Sequence, residues 1–219
     1  MLKAVVFDFD GVIVDTESEW YYIYRDWLRD TYQYELKITD YLVCVGANSE
    51  ALFRFLREEI GGQIDFHGFE RQAADEFVRR TCKLPPMKGV LEFIRQAKER
   101  DLKLAIATSA TRRKPVFHLE RLGILNDFEV FSTAELSKQV KPAPDIFLKA
   151  AELLGCDPKE CLAVEDSGNG LTAAKRAGMP CLVIPNQITR YCEFEGYYQL
   201  AESLEEVNLD DIIKDYGRF

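Results

Sequence analysis

Histidine and closely spaced cysteine pairs are scarce in this sequence, and their scarcity limits the chemistry available to it. Only two histidines occur among the 219 residues, and the six cysteines are scattered with no C-x-x-C pair. Zinc sites need several such ligands at short spacings. We therefore expect no zinc site, and we expect the cysteines to be reduced thiols, several of them filling the core.

Basic residues are also in deficit. The chain has 28 Lys and Arg against 37 Asp and Glu, which gives a formal net charge of −9. Nucleic acids and anionic membrane surfaces are bound by clustered basic residues, so we expect neither as a partner. A small anionic substrate is compatible with this charge if a metal ion and a few placed cations reverse the local field.

Long apolar runs are missing as well. No run approaches the ~18 residues that indicate a membrane-spanning helix. The sequence opens on an apolar strand pattern without a charged-then-apolar leader, so we expect a soluble cytoplasmic protein, present as a monomer or a weak homodimer. With 47% hydrophobic residues, the chain can bury one sizeable core and a smaller companion domain.

Short apolar runs alternate with helical patterns from residue 88 to residue 184. The predicted strands are Ala4–Phe9, Leu102–Thr108, Glu129–Phe131, Cys161–Glu165 and Cys181–Ile184, and the helices are Val90–Glu99, Lys114–Leu122, Pro144–Leu154 and Leu171–Ala177, with a short tail helix over Ser203–Ile213. This alternation predicts an α/β fold with a doubly wound parallel sheet and right-handed crossovers. Ligands of such sheets bind at the carboxyl ends of the strands.

Residues 16–85 break this alternation. Apolar residues recur there at helical spacing over Glu17–Tyr34, Ser49–Ile60 and Phe66–Cys82. A helical stretch inserted after the first strand predicts a separate small bundle, so we divide the chain into a core (1–15 and 86–219) and a helical cap domain (16–85). The two crossings between them would form a hinge over the edge of the sheet.

Two carboxylates, Asp8 and Asp10, stand one residue apart at the end of the first predicted strand, directly before Gly11. Residues i and i+2 of a strand point to the same face, so these carboxylates would repel each other unless a cation lies between them. Clustered oxygen ligands suit a hard ion such as Mg²⁺. Taken alone, the pair is better explained as an acidic turn at the surface.

Further polar motifs follow the later strands. Thr108 and Ser109 precede a predicted helix, where a hydroxyl and free backbone N–H groups suit a phosphate oxygen. Lys141 precedes two prolines that restrict its backbone, and Glu165 and Asp166 end a strand before a glycine-containing turn. Helix capping or a solvated lysine explains each motif alone. Their shared position at strand ends predicts that they converge on one edge of the sheet.

In this order, the motifs D-x-D-G-x-x-x-D, T-S, K-P-A-P-D and E-D-S-x-x-G resemble the haloacid dehalogenase-like (HAD) superfamily. The resemblance is to the branch with a helical cap, which contains β-phosphoglucomutase-like and phosphoglycolate phosphatase-like enzymes. It covers the chain from Ala4 to about Ile184. It implies a Rossmann-like catalytic core, phosphoryl-transfer chemistry and Mg²⁺ as the cofactor.

The resemblance also implies roles for individual residues. Asp8 would be the nucleophile, Asp10 the general acid/base, and Thr108 and Lys141 the clamps on the phosphoryl group, with Gly11 and Ser109 as further phosphate-binding candidates. The Mg²⁺ ligands would be Asp8, Asp166 and the Asp10 carbonyl, and Glu165 would contribute directly or through a metal-bound water.

Substrate specificity is expected from the cap. β-Phosphoglucomutases look like D-T-x-x-x-H at the cap entry and G-V-S-R-E later, whereas this chain has Trp20 at the His position and Ser49 at the Arg position. The missing cap cation counts against a mutase. Arg79 and Arg112 are candidates for binding substrate or phosphate, or are exposed helix residues. Trp20 is a candidate platform for a sugar ring, or it packs within the cap.

The sequence thus predicts a Mg²⁺-dependent phosphatase that hydrolyses a small phosphorylated metabolite, a sugar or polyol phosphate, through an aspartyl-phosphate. A sugar phosphomutase of the β-phosphoglucomutase type is the alternative enzyme. A phospho-accepting receiver-like signalling module is the alternative from another class, because receivers combine an acidic Mg²⁺ pocket, an aspartate, a hydroxyl residue and a lysine on a doubly wound sheet. The helical insertion and the acid at Asp10 count against the receiver.

Overall fold

A parallel sheet lies at the centre of the computed structural model, which describes residues 1–62 and 64–216. Its strands are β1 (Ala4–Phe7), β2 (Lys103–Ala107), β3 (Val130–Ser132), β4 (Cys161–Glu165), β5 (Cys181–Val183) and β6 (Gln199–Leu200). Their order is β3-β2-β1-β4-β5-β6, and each neighbouring pair is parallel. The order reverses between β1 and β4, which is the switch point of a doubly wound sheet. The predicted fold class is confirmed.

Helices surround this sheet and also follow its first strand. They are α1 (Thr16–Tyr32), α2 (Ile38–Tyr41), α3 (Glu50–Ile60), α4 (Phe66–Thr81), α5 (Val90–Glu99), α6 (Arg113–Arg121), α7 (Asp145–Leu154), α8 (Gly168–Ala177) and α9 (Leu209–Asp215). Within the described residues, none of them is both long and apolar enough to cross a membrane.

The central strands are apolar on both faces because helices cover both faces of the sheet. In β1, Val5 and Phe7 pack in the hydrophobic cluster that includes Phe93 of α5, whereas Ala4 and Val6 pack in the cluster of α7 and α8. Strands buried in this way read as continuous apolar runs. Side chains at the carboxyl ends of these strands therefore project from a packed interior.

Helices α1 to α4 form a group with its own apolar interior. Aromatic rings dominate it: Trp27 stacks on Phe69 at 3.9 Å between ring centroids, and Phe53 stacks on Phe66 at 4.5 Å. The returning chain is tied to the outgoing loop where the Met87 N–H donates to the Ile13 carbonyl at 2.8 Å. The division into core and cap stays a prediction, now with a physical basis in this separate cluster.

Several predicted bounds were wrong. The tail helix does not run over Ser203–Ile213, because the Asn208 side chain accepts N–H donation from Asp210 and Asp211 and so begins α9 after a separate 3₁₀ turn. Helix α8 begins before Leu171, since the Ser167 side chain caps it. Helix α2 and strand β6 are both too short to leave a periodic pattern, and neither was predicted.

Candidate active site

The predicted convergence of polar residues at the sheet edge is present in the structure. Asp8 follows β1, Thr108 follows β2, Glu165 ends β4, and Asp166 comes directly after it. Lys141 reaches the same place from the loop before α7. All five are at most 2% exposed, although their side chains are polar or charged. Burial of this kind requires each charge to be paired or neutralised.

Lys141 bridges two of the carboxylates. Its Nζ donates to Asp8 Oδ1 at 2.6 Å and to Glu165 Oε1 at 2.5 Å. Burial alone lowers the pKa of Lys141, but attraction to Asp8 and Glu165 and the two hydrogen bonds outweigh it, so the pKa is raised overall. Lys141 is therefore a cation within the interior, and its third N–H is left for another acceptor.

Glu165 is fixed by donors on both oxygens. Besides the bond from Lys141, Oε2 accepts from the Asp166 N–H at 3.1 Å, the Ser167 N–H at 3.4 Å and the Ser167 hydroxyl at 3.2 Å. A Cβ at Gly170 would lie 1.9 Å from the Glu165 carboxyl carbon, so only glycine leaves room for this carboxylate. The geometry makes Glu165 the partner that orients Lys141.

An excess of negative charge gives this site the character of a metal site. Oxygens of Asp8, Glu165 and Asp166 lie within 4.8 Å of one another. Burial raises the pKa of Asp8 to about 8 despite Lys141. Burial and the neighbouring Glu165 raise the pKa of Asp166 well above its usual range. Lys141 offsets only part of the charge, so the buried cluster is compatible with a cation.

One oxygen of Asp166 has no partner. Asp166 Oδ2 accepts from Asn186 Nδ2 at 2.8 Å, but the buried Oδ1 has no hydrogen-bond partner among the described residues. An orphaned buried carboxylate oxygen is costly unless something binds it. A metal ion held by oxygen ligands fits this position.

Gly11 lets the loop after β1 approach Asp166. Its φ is +78°, and a Cβ there would lie 2.2 Å from Asp166 Oδ2. Its N–H donates to the Val14 carbonyl at 2.9 Å, so this donor is used within the loop. The structure therefore places Gly11 beside the acidic cluster, where it supports the loop and does not line the cavity above it.

A cavity of about 300 Å³ opens above this cluster. Its core side is formed by Asp8, Asp10, Thr108, Ser109, Ala110 and Lys114. Its other side comes from α1, α4 and the loop between α2 and α3, and includes Glu17, Trp20, Ser49 and Glu70. The reacting residues and the helical insertion thus enclose one space of a size that suits a small ligand.

Asp10 has two close partners that sequence analysis missed. Its Oδ1 accepts a hydrogen bond from the Thr16 hydroxyl and pairs with Lys114 Nζ. Lys114 Nζ also lies 5.1 Å from the centroid of the Phe77 ring in α4. Thr16 ends the D-x-D-G-x-x-x-D-T run, and Lys114 lies in the first turn of the helix after the T-S motif. These positions, next to two of the motifs, were the only features of the sequence that could have marked Thr16 and Lys114 as partners of Asp10.

Other missed residues lie behind or across from the acidic cluster. Asn186 follows β5 and holds Asp166; its position after a strand end was the only signal for it. Glu17 accepts from the Tyr41 hydroxyl at 2.7 Å. Burial, with Asp10 nearby, raises the pKa of Glu17 to about 7. No sequence pattern distinguishes Glu17 from the other acids of α1.

Ser109 and Trp20, both candidates for binding phosphate or substrate, line the cavity. The Ser109 hydroxyl donates to the Gly46 carbonyl at 3.0 Å and so ties the loop before α3 to the core. Trp20 stacks on Phe77 at 4.4 Å between centroids while one part of it remains at the cavity. Whether either touches a substrate stays a prediction.

Arg79 and Arg112 lie away from the cavity. Arg79 is 74% exposed and pairs with Glu76 one turn earlier in α4. The Arg112 guanidinium lies 4.6 Å from the centroid of the Phe131 ring on another part of the surface. The structure therefore does not bring these two predicted substrate residues to the acidic cluster.

The arrangement agrees with comparisons against known proteins. Residues 5–184 match the sequence profile of a family described as haloacid dehalogenase-like hydrolase. The chain belongs to the haloacid dehalogenase-like hydrolase family. The resemblance inferred from the four motifs is confirmed.

Relatives of this HAD-like hydrolase include proteins named as phosphatases. A Bacillus subtilis (strain 168) protein named "Putative phosphatase YhcW" is 37% identical over 210 residues, covering 95% of each chain. The "Phosphorylated carbohydrates phosphatase" of Thermotoga maritima is 32% identical over 184 residues, covering 81% of this chain and 82% of that protein. Family and relatives together identify the chain as a phosphoric monoester hydrolase.

A solved structure shows the same architecture. A variant of CbbY from Rhodobacter sphaeroides in complex with xylulose-(1,5)bisphosphate has a TM-score of 0.81 and 27% sequence identity to this chain. The match covers 95% of this chain and 97% of that one. It therefore includes the helical insertion as well as the sheet.

Proposed function

We propose that this HAD-like hydrolase is a Mg²⁺-dependent phosphatase that acts on a small sugar or polyol phosphate, with Asp8 as the nucleophile. The observation that carries the proposal is the environment of Asp8 at the floor of the cavity. Its carboxylate accepts a hydrogen bond from a buried lysine and lies beside an orphaned oxygen of Asp166. Reactive carboxylates in enzymes are held by this combination of burial and charge partners.

The residues that would hold Mg²⁺ are Asp8, Asp166 and the main-chain carbonyl of Asp10. The donor set consists of oxygens, and the buried negative charge exceeds what Lys141 offsets, so the site fits this ion. When bound, Mg²⁺ would offset the repulsion between these carboxylates and a phosphate dianion. Both oxygens of Glu165 already accept hydrogen bonds, so a contact through water is the one that preserves them.

In the first half-reaction, a carboxylate oxygen of Asp8 attacks phosphorus and the bond from phosphorus to the sugar oxygen breaks. Asp10 donates its proton to that leaving oxygen, which yields the free alcohol and an aspartyl-phosphate. The Thr16 hydroxyl and Lys114 contact Asp10 Oδ1 and so hold its carboxyl group toward the cavity. We assign the binding of phosphoryl oxygens to the remaining N–H of Lys141, which bonds Asp8, and to the Thr108 hydroxyl, since Thr108 lines the cavity.

In the second half-reaction, water attacks the phosphorus of the aspartyl-phosphate. Asp10, now ionised, takes a proton from that water, and the bond between phosphorus and the Asp8 oxygen breaks. Inorganic phosphate leaves, and both carboxyl groups return to their starting states. The acid at Asp10 counts against the receiver-like alternative, because a receiver would hold its phosphoryl group without rapid turnover.

Sugar or polyol phosphates are proposed as substrates for two reasons. The relatives that share this architecture include a protein named for phosphorylated carbohydrates and a complex with a sugar bisphosphate. In this chain, an indole ring and several hydroxyl and carboxylate groups line the cavity wall opposite Asp8. Aromatic faces with hydrogen-bonding groups around them suit sugar rings.

Phosphate release tests the proposal. The purified protein is incubated with sugar, polyol and two- or three-carbon phosphates, including β-glucose 1-phosphate, first with Mg²⁺ and then with EDTA. Metal-dependent release from one or a few members is the expected result. Metal-dependent conversion of β-glucose 1-phosphate to the 6-phosphate without release would replace the phosphatase with a mutase, and a stable phosphoprotein without turnover would replace it with a receiver-like module.

A further inference from the structure

The carboxylates on the two sides of the cavity differ in their partners. On the core side each is paired with a lysine: Asp10 with Lys114, which also lines the cavity, and Asp8 with Lys141, which is not part of the lining. Among the described residues that line the cavity on the cap side, two are carboxylates and none is Lys or Arg. These two acids are Glu17 of α1 and Glu70 of α4.

Glu70 is held rigidly in the cavity wall. Its Oε1 accepts from the Tyr24 hydroxyl at 2.5 Å and from the Ser49 hydroxyl at 2.8 Å. Tyr24 is 2% exposed, so it anchors this carboxylate to the interior of the helical group. On its other side, Nδ1 of the exposed His67 lies 3.7 Å from Oε2. The two hydroxyl donors come from α1 and from the loop before α3, so they restrict the movement of this carboxylate away from an approaching anion.

Glu17 is fixed in a similar way nearer to the reacting end. The buried Tyr41 donates its hydroxyl proton to Glu17 Oε1 at 2.7 Å. Glu17 and Glu70 therefore present preorganised acceptor oxygens along the cap side, and both belong to the same cavity as Asp8. A ligand whose phosphoryl group lies at Asp8 must extend past one or both of them.

Carboxylates in this position discriminate between ligands by charge. Sugar hydroxyls donate hydrogen bonds to carboxylate oxygens, and charge-assisted bonds of this kind are strong. A second phosphate would face the carboxylate of Glu70, and that of Glu17 when it is ionised, with no Lys or Arg among the described cap-side lining residues, in a partly buried space where repulsion is poorly screened. Repulsion of the bisphosphate is enough to make the site prefer the monophosphate, and no additional contact to the monophosphate is needed.

We infer that Glu17 and Glu70 restrict this enzyme to monophosphate esters whose far end is an uncharged polyhydroxyl group, and that they exclude bisphosphates. The inference rests on the proposed phosphatase function and narrows its substrate class. It also opposes a mutase cycle, since such a cycle must hold a bisphosphate in this cavity. Glu17 and Glu70 act here as specificity residues and take no part in bond breaking.

Paired kinetics test the inference. The best monophosphate from the substrate panel is compared with its matched bisphosphate, for example fructose 6-phosphate with fructose 1,6-bisphosphate. For the wild type, kcat/KM for the monophosphate is expected to exceed that for the bisphosphate at least about tenfold, because the second phosphate meets a like charge. Equal rates, or a preference for the bisphosphate, would overturn the inference.

Variants show which residue produces the preference for the monophosphate over the bisphosphate. Glu70→Gln keeps an acceptor oxygen for Tyr24 and Ser49 but removes the charge, and it should reduce the monophosphate preference at least about fivefold, chiefly through a lower KM for the bisphosphate. Glu76→Gln, also in α4 but paired with Arg79 and Arg80 outside the cavity, is the matched control and should leave the preference unchanged. Equal preferences in the two variants would contradict the role of Glu70.

Two measurements keep the test decisive if Glu70→Gln fails to fold. Glu17→Gln should reduce the preference in the same direction, and raising the salt concentration should narrow it in the wild type because screening weakens the repulsion. A preference that neither change affects would reject the inference. Failure of the proposed phosphatase function would give a different result, because no ester, including p-nitrophenyl phosphate, would then release phosphate in a Mg²⁺-dependent way.

Discussion

The floor of the cavity and its cap-side wall are built in different ways. The floor consists of charged groups at strand ends, at most 2% exposed and held by other charged groups, as Lys141 is held by Asp8 and Glu165. The wall consists of side chains on helices, held by hydroxyl donors such as Tyr24 and Tyr41. The floor has little freedom to change, whereas the wall can exchange side chains without disturbing the sheet.

This contrast separates chemistry from specificity. Removal of one charge from the floor leaves its partner buried and uncompensated, and such losses are large. Removal of a charge from the wall leaves a hydrogen bond that a neutral amide can replace. We therefore expect the effects of substitution to decrease from the floor outward.

The largest effect is expected from Asp8→Asn. An amide is a poor nucleophile, so phosphate release should fall by at least about 10⁴-fold, comparable with the loss of a catalytic group in other hydrolases. Lys141 stays paired with Glu165 in this variant and the amide keeps an acceptor oxygen, so the fold should stay intact, as checked by circular dichroism. Near-wild-type release by a folded Asp8→Asn protein would refute the assignment of the nucleophile.

The next effect concerns the metal. Mg²⁺ at 100 times its Kd should stabilise the wild type by about 2.7 kcal/mol, because it binds only the folded site. Asp166→Asn should remove both this stabilisation and most of the activity, since the orphaned Oδ1 is lost as a ligand. The stabilisation is measured for both proteins as the difference in thermal unfolding between samples with Mg²⁺ and samples with EDTA.

Asp211→Asn is the control for the metal prediction, because its carboxylate is 64% exposed and lies in α9. It should keep the full Mg²⁺ response. An equal Mg²⁺ response in Asp166→Asn would mean that the ion binds elsewhere.

A smaller, pH-dependent effect on stability is expected when Glu17 in the cap-side wall is replaced. Burial raises the pKa of Glu17 from 4.5 to about 7, so the folded state holds a proton that the unfolded state has already released between these values. Stability therefore falls as pH rises through this window. Glu17→Gln removes this penalty and should stabilise the protein by about 1–3 kcal/mol above pH 7, but not below pH 4.5.

Urea unfolding in EDTA at pH 4.5 and at pH 8 measures the difference between Glu17→Gln and the wild type. EDTA keeps metal binding from adding its own pH dependence. A stabilisation of the same size at both pH values would show that Glu17 carries no such penalty.

The smallest effect is expected from Arg79→Ala. Its guanidinium is exposed and paired within α4, and surface pairs of this kind contribute at most about 1 kcal/mol. Activity should stay within about twofold of the wild type, because the side chain does not line the cavity. A large rise in KM would restore Arg79 as a substrate-binding cation and would break the charge contrast between the two sides.

The sequence predicted the floor better than the wall for a physical reason. Asp8, Thr108 and Glu165 are separated by long stretches of chain, yet the carboxyl ends of parallel strands meet at one edge, so strand prediction alone brought them together. Thr16 and Lys114 escaped prediction because their contacts with Asp10 depend on where α1 begins and how α6 is rotated. For Arg79 the helix was predicted correctly, but periodicity did not show that its side chain points to solvent and away from the cavity.

By itself, the sequence determined the alternation of strands and helices, the order of the acidic and hydroxyl motifs, and hence the sheet edge at which they meet. These properties follow from local periodicity and from the topology of parallel sheets. Only the tertiary structure decided that Asp166 keeps an unpartnered oxygen, that Lys114 reaches Asp10, and that Glu70 faces the cavity. Those features depend on how side chains from distant helices pack together, and periodicity carries no information about that packing.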